Sequence, residues 1–413
     1  MLQLHTDRFY SRVLLLLWGL TLFTQWLPDF VGIRYIFFRA VYVGVAFVAM
    51  LVSWEEVRKN GLLLVSLVIA FLLAGIKLYT DTGEGSRALS LQFIGAVIVI
   101  AGHSRLFFRK PLSVDRLYLW RLLIAFFAVF FVLEVGLSLV ERIIQYPLLD
   151  PFYEVRAHFR SRAFLGHPLY NALVVSTMMS FILTLPLRTK YKYALWGLGY
   201  VAILCFNTRS TIVLNAFFFG LHLIYTLYWD RSVGQKLRKQ ALILGVISVI
   251  AGLILLFGVG LGSRLLEMGL LDEDSAQVRL DVWALIDMAS MEQWLWGIDF
   301  EQLQWLMESS HIPIIENFWI EQALRMGLLL CVPYWVVSIY LGYRLYKGYA
   351  FFPAMLTSIT FLTVASVNNS LAVNYTALGL YYVLILLLHP RYIYNLLPRQ
   401  FLLERYTSKV VEE

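Results

Sequence analysis

The stretch GLLLVSLVIAFLLAGIKLY, residues 61–79, contains one charged side chain, Lys77, and no proline. At about 1.5 Å of rise per residue, a helix of this length crosses a hydrocarbon core roughly 30 Å thick. Apolar runs of similar length recur along the whole chain. We read twelve of them, near 12–28, 35–53, 61–79, 88–104, 120–140, 168–187, 193–207, 211–229, 241–260, 318–343, 351–367 and 371–389. Inside lipid, backbone polar groups must be satisfied within the protein, so such runs are helices; the strict alternation of a barrel strand is absent.

The bulk composition agrees. Of 413 residues, 60% are hydrophobic and 15% charged, where a soluble chain carries about 25% charged residues. The mean hydropathy is +0.71. The expected fold class is an all-α polytopic membrane protein of about twelve transmembrane helices, with residues 1–413 forming one integral domain. The first run follows an arginine-containing lead without a small-residue cleavage site, so it reads as a retained span and not a cleaved signal. Cys205 and Cys331 both fall within apolar runs, which leaves them as buried packing residues rather than a disulfide or metal framework.

Charge orients the helices. With a cytoplasmic N-terminus, inside loops hold Arg8 and Arg12; Arg58 and Lys59; Arg105, Arg109, Lys110 and Arg116; Arg188, Lys190 and Lys192; Arg231, Lys236, Arg238 and Lys239; Arg344 and Lys347; and Arg391, Arg399, Arg405 and Lys409 near the C-terminal end. The opposite loops hold about half as many basic residues, the bias that places loops in the cytoplasm. Both termini are then cytoplasmic. The net charge of +7 is topogenic, and nucleic acid is not an expected partner.

Three segments on the outer side break the pattern: residues 141–167, 207–210 and 261–317. The last is expected to be a large helical extracytoplasmic loop. Within SAQVRLDVWALIDMAS, residues 275–290, the side chains of Val278, Val282, Leu285, Ile286 and Ala289 share one helical face. From Asp299 to Met307, a cap at Asp299 with Gln302 three residues on precedes an apolar stripe of Phe300, Leu303, Leu306 and Met307. The aromatic turn Trp294-Leu295-Trp296-Gly297 joins the two.

Arginines on this side need a reason. Arg156 and Arg160 read as side chains that snorkel to lipid headgroups. Arg162 has the same option, but Gly166 and Pro168 break the helix entrance beside it and leave Arg162 and His167 facing water. A guanidinium is permanently charged and offers a planar fork of donors suited to phosphate. Arg209, in Asn207-Thr-Arg-Ser-Thr211, sits in a tight hairpin where a charge is costly unless it lines a wet cavity or pairs. Arg279 reads equally as a surface pair with Asp281 or as part of a site. At the start of the tenth run, His311 and Glu316 are placed to accept a proton from a hydroxyl, with Asn317 beside them; His311 reads as well as an exposed loop residue. Glu321 and Arg325, four apart, are expected to pair with each other. The acidic run Asp272, Glu273 and Asp274 reads as a solvated loop. No glycine-rich phosphate loop, zinc motif or nucleophile elbow occurs.

These residues together resemble the bacterial O-antigen polymerase and O-antigen ligase superfamily. Arg162-Ala-Phe-Leu-Gly-His-Pro-Leu-Tyr-Asn171-Ala is similar to the Arg…Gly…Asn-Ala pattern of its exopolysaccharide-polymerase branch, and Asn207-Thr-Arg209-Ser resembles its Ser-Arg hairpin. Gln277-Val-Arg279 with Trp283 resembles its loop arginine, and Glu316-Asn317-Phe-Trp followed by Arg325-Met-Gly327 resembles its His-Asn…Gly entry. The resemblance implies a C-type glycosyltransferase (GT-C) architecture in the bacterial inner membrane with its active site facing the periplasm. It implies inverting transfer of a glycan from undecaprenyl diphosphate, with neither metal nor cofactor. Arg162, Arg209 and Arg279 would hold the diphosphate, with His167, Asn171 and Asn317 among the substrate contacts and Glu316 or His311 as the base. The ligase branch carries histidine directly before the asparagine, where this chain has Glu316, so polymerisation of repeat units is favoured over ligation to lipid A-core. Expected partners are the lipid-linked donor, a glycan or lipid A-core acceptor, membrane lipid and a chain-length regulator. A flippase or transporter of lipid-linked sugars is the alternative from another class; the gathering of polar features at one face argues against it.

Overall fold

The computed structural model describes residues 2–23, 35–80, 94–105, 114–149, 159–185, 187–229, 235–258, 282–283, 285–312, 315, 317–336, 351–367 and 381. Within them the chain is helical almost throughout and forms no strand. The helices are α1 (Leu2–Phe23), α2 (Tyr35–Val52), the short α3 (Trp54–Lys59) and α4 (Gly61–Thr80). Then come α5 (residues 94–102), α6 (Val114–Ile144), α7 (Pro168–Thr184) and α8 (Thr189–Phe206). Next, α9 (Arg209–Ile224) and α10 (Gln235–Leu253) each run on into a wider π turn, at Tyr225–Trp229 and Ile254–Gly258. The series closes with α11 (Met291–Trp296), α12 (Phe300–Ser309), α13 (Phe318–Met326), α14 (residues 328–336) and α15 (Phe351–Ser366).

Two helical stretches, Ile124–Ile144 and Arg209–Trp229, are long and apolar enough to cross a membrane; Phe9–Leu20, Ala40–Val52, Gly61–Ile76, Pro168–Thr184 and Met355–Ser366 are apolar but shorter. The twelfth expected run, 371–389, lies outside the described residues apart from Tyr381.

Helix α7 is the centre of the bundle. Apart from Leu169 and Thr184 it is buried along its whole length, as a helix apolar all round must be. It packs most closely on α15 and α8. Gly199 lets α8 approach: a Cβ there would sit 2.5 Å from Met179 Cγ of α7 and 3.0 Å from Phe131 Cζ of α6. Buried polar pairs tie the same helices together. Asn215 Nδ2 of α9 donates to Ser176 Oγ of α7 at 2.7 Å, and Ser180 Oγ donates to Thr360 Oγ1 of α15 at 2.7 Å. The exterior is apolar: on α10, Leu242, Ile243, Val246, Ile247, Val249, Ile250 and Leu253 are all exposed. Soluble monomers rarely expose contiguous apolar patches of this kind.

A second, smaller core joins Val282, Leu285, Ala289, Ile298, Leu303, Leu306, Ile312 and Ile315 to Ile320 and Leu324 of α13. Described residues within 261–317 build most of this core, and two expectations are corrected. Asp299 accepts from the Gln302 N–H at 2.7 Å, a one-way cap; the reciprocal capping box is instead at Ser290 and Gln293. Of the stripe at 275–290, Val282, Leu285 and Ala289 are buried, and Val278 lies outside the described residues. The expected tenth run, 318–343, is not continuous: Gly327, at φ +80°, separates α13 from α14. The reason is polar content. Glu321, Gln322 and Arg325 crowd the first nine residues, so α13 is amphipathic. Ile320 and Leu324 face the small core, while Phe318 and Met326 face the main one. The expected pair forms within α13, with Arg325 Nη2 2.9 Å from Glu321 Oε1. Both cysteines are buried thiols that form no disulfide among the described residues.

Candidate functional site: an arginine loop at one end of the bundle

Helix α6 extends to Ile144, beyond the expected 120–140, and so carries two carboxylates on one face, Glu134 and Glu141. Seven residues apart, they lie two turns from each other, about 10.5 Å along the axis. Neither has any solvent exposure. Glu141 Oε1 accepts the Leu148 N–H at 2.9 Å. Its Oε2 accepts the Ser161 hydroxyl at 2.5 Å and the N–H groups of Arg162 and Ala163, each at 2.9 Å. Glu134 Oε2 accepts the Phe164 N–H at 3.2 Å, while its Oε1 has no hydrogen-bond partner among the described residues. From the other side, Asn171 of α7 accepts the Leu165 N–H at 3.1 Å on Oδ1 and donates through Nδ2 to the Arg162 carbonyl.

The loop so held lies across the α8–α9 turn. Ser161 N–H donates to Cys205 O at 3.1 Å and Arg160 Nε to Phe206 O at 3.3 Å, while Asn207 Nδ2 reaches Phe159 O at 3.5 Å. Arg142 Nη1 donates to the same Phe159 carbonyl at 2.9 Å. Asn207 ends α8 in the left-handed conformation, φ 54°, which asparagine tolerates better than most residues. That reversal makes Arg209 the first residue of α9, where it is buried. The hydroxyls of Thr208 and Thr211, on either side of it, are buried without hydrogen-bond partners among the described residues.

The segment carrying Arg160 and Arg162 is thus bonded to the end of α8, just before the turn that leads to Arg209. The N-terminal ends of α7 and α9 both open here. Helix N-termini carry partial positive charge, which favours negatively charged groups nearby.

The expected site residues divide accordingly. Arg162 is half-buried in a segment whose neighbour Ser161 is bonded to the end of α8, and Arg209 is buried at the start of α9. Arg160, expected as a headgroup contact, is half-buried and donates through Nε to the Phe206 carbonyl. His167 is exposed at the cap position of α7, and its side chain does not cap the helix. Asn171 is corrected from substrate contact to loop support: it is fully buried and both ends of its amide are engaged. Asn317 caps α13, accepting from Trp319 N–H at 3.0 Å and Ile320 N–H at 3.2 Å. His311 is exposed at the C-terminal end of α12, with φ 54°. Arg279 and Glu316 lie outside the described residues, as do Arg156 and the acidic run 272–274. Among the described residues no three His, Cys, Asp or Glu side chains gather as a metal site requires.

Sequence reasoning missed Glu134, Glu141 and Arg142. For Glu134 the signal was present, since a carboxylate within an apolar run is costly in a membrane and marks a residue with a partner; Glu141 and Arg142 fall just past the expected end of the run. No protein-family model matches the chain, and comparison with curated proteins gives no match.

Proposed function

We propose that the chain is an inner-membrane glycosyltransferase that polymerises undecaprenyl-diphosphate-linked oligosaccharide repeat units into a surface polysaccharide. In this reading about twelve helices cross the membrane in a GT-C-like arrangement, and the arginine loop and the small helical core face the periplasm. The observation that carries it is the docking of the Arg160–Arg162 segment on the turn that holds Arg209. Arginines converging at a bundle end where two helix N-termini open suit a lipid diphosphate, whose phosphates sit at headgroup depth while the tail lies among the helices. The apolar exterior of α10 and the apolar stretches of α6 and α9 support a membrane setting.

In the reaction, a hydroxyl of the acceptor sugar attacks the anomeric carbon of the donor. A glycosidic C–O bond forms as the C–O bond to the diphosphate breaks, with inversion. The hydroxyl proton goes to a base, for which Glu316 and His311 are the candidates, and undecaprenyl diphosphate leaves. Negative charge grows on the leaving phosphate, where preorganised guanidinium groups stabilise it without rearranging.

The break at Gly327 bears on the transporter alternative. Transport sites use broken helices near the membrane midplane. Here the break lies against the small core, where a Cβ on Gly327 would come 2.4 Å from Leu295 O.

Arg162→Ala and Arg209→Ala are expected to shorten the polymer to single repeats while the protein still inserts, read as a glycan ladder beside membrane protein level. Unchanged chain length in both would refute the diphosphate assignment.

A further inference from the structure

We infer that Glu141 is a positioning residue, whose carboxylate fixes the backbone of Arg162 and so the point and direction from which its side chain leaves the loop. The inference rests on the reading of this loop as a diphosphate site. A surface loop at the end of a bundle can satisfy its N–H groups with water. Burying a carboxylate to do so is costly, and this one is fully used, by the N–H groups of Leu148, Arg162 and Ala163 and the Ser161 hydroxyl. What the carboxylate secures is a conformation.

The peptide groups on both sides of Arg162 are bound by side chains from different helices, its N–H by Glu141 of α6 and its C=O by Asn171 of α7. The next residue, Ala163, has φ 37°, which residues with a Cβ rarely adopt. Such outliers persist only where the surroundings impose them. Here Glu141 holds the Ala163 N–H, and Glu134 holds that of Phe164. Ser161, bonded through its N–H to Cys205 O and through its hydroxyl to Glu141, locks the same segment to the turn bearing Arg209. The direction in which the Arg162 side chain leaves the backbone, and its offset from Arg209, are therefore set by Glu141.

The test is a double-mutant cycle read by binding of undecaprenyl diphosphate to the full-length protein in nanodiscs, with polymer length in cells alongside. Arg162→Ala is expected to weaken binding about tenfold or more, the range for one charged hydrogen-bonded contact. Glu141→Gln keeps the size of the side chain but leaves one acceptor oxygen for four donors, so an amide donor must face either the Leu148 N–H or the N–H groups of Arg162 and Ala163, and it should weaken binding comparably. In the Arg162→Ala background, Glu141→Gln should then change little, because its effect runs through that arginine. Losses that add in the double variant, or wild-type binding by Glu141→Gln, would overturn the positioning role. Wild-type binding and polymer length in Arg162→Ala would instead sink the diphosphate reading itself. If Glu141→Gln does not accumulate in membranes, Ser161→Ala removes one donor and leaves the carboxylate in place. It should cost several-fold in binding, and again only when Arg162 is present; wild-type binding by Ser161→Ala overturns the proposal.

Discussion

Arg209 owes its position to one backbone reversal at Asn207, and its proposed role to the shape of its head group. A guanidinium meets phosphate with two parallel donors, whereas an ammonium is a point charge. Arg209→Lys is therefore expected to lose most chain extension although the charge is kept, seen as a collapsed glycan ladder. Full length in that variant would reduce the site to simple electrostatics. The proton acceptor is separable from binding. General-base catalysis contributes about 10²–10⁴-fold, so of Glu316→Gln and His311→Ala, the one that removes the base should lower turnover by that factor with donor binding intact. If neither does, the base lies elsewhere. Arg162 and Arg209 were legible because each interrupts an apolar pattern beside a helix break. Glu141 was not: it falls just past the expected end of its apolar run, and its four donors come from residues up to 22 positions away.

Helix α13 shows how an element changes character with its surroundings. Read by hydropathy, residues 318–343 continue as one run; in the fold the first nine become the link between the small core and the bundle. Trp319 Nε1 donates to Ser366 Oγ at 2.7 Å, and Ile298 N–H donates to Leu324 O at 2.6 Å, so the helix is bound on both sides. Gly327 is the hinge-pin. Its backbone, φ 80° and ψ 150°, lies in a region that is essentially glycine-only and costs other residues roughly 1–3 kcal/mol, and the backbone of Leu295 to Gly297 occupies the space where a Cβ would go. Gly327→Ala should loosen the small core from the bundle, lowering the thermal midpoint of the purified protein and hastening proteolysis within 261–317. Wild-type values for both would mean the contact contributes little.

For the molecule as a whole, the arrangement fixes which helix ends share a face. The C-terminal ends of α6 and α8 meet the N-terminal ends of α7 and α9 around Arg142, Arg160, Arg162 and Arg209. Arg188, Lys190 and Lys192 lie at the opposite ends of α7 and α8. In the proposed topology the first group is periplasmic and the second cytoplasmic. Exposed positions on each side make this checkable: in intact cells, a cysteine at Glu308→Cys should react with a membrane-impermeant thiol reagent and one at Lys59→Cys should not. The reverse pattern would invert the topology and remove the periplasmic site.

By itself the sequence determined the all-helical class, the strongly apolar character of the helices, and which arginines stand out. These follow from composition and periodicity, which each segment carries locally. Only the tertiary structure decided that Asn171 supports the loop, that Arg160 is bound to the α8–α9 turn, that the tenth run breaks at Gly327, and that two buried carboxylates hold the arginine segment. A polar group's role depends on whether it meets solvent, lipid or a backbone donor, and the partners that settle this arrive from distant parts of the chain.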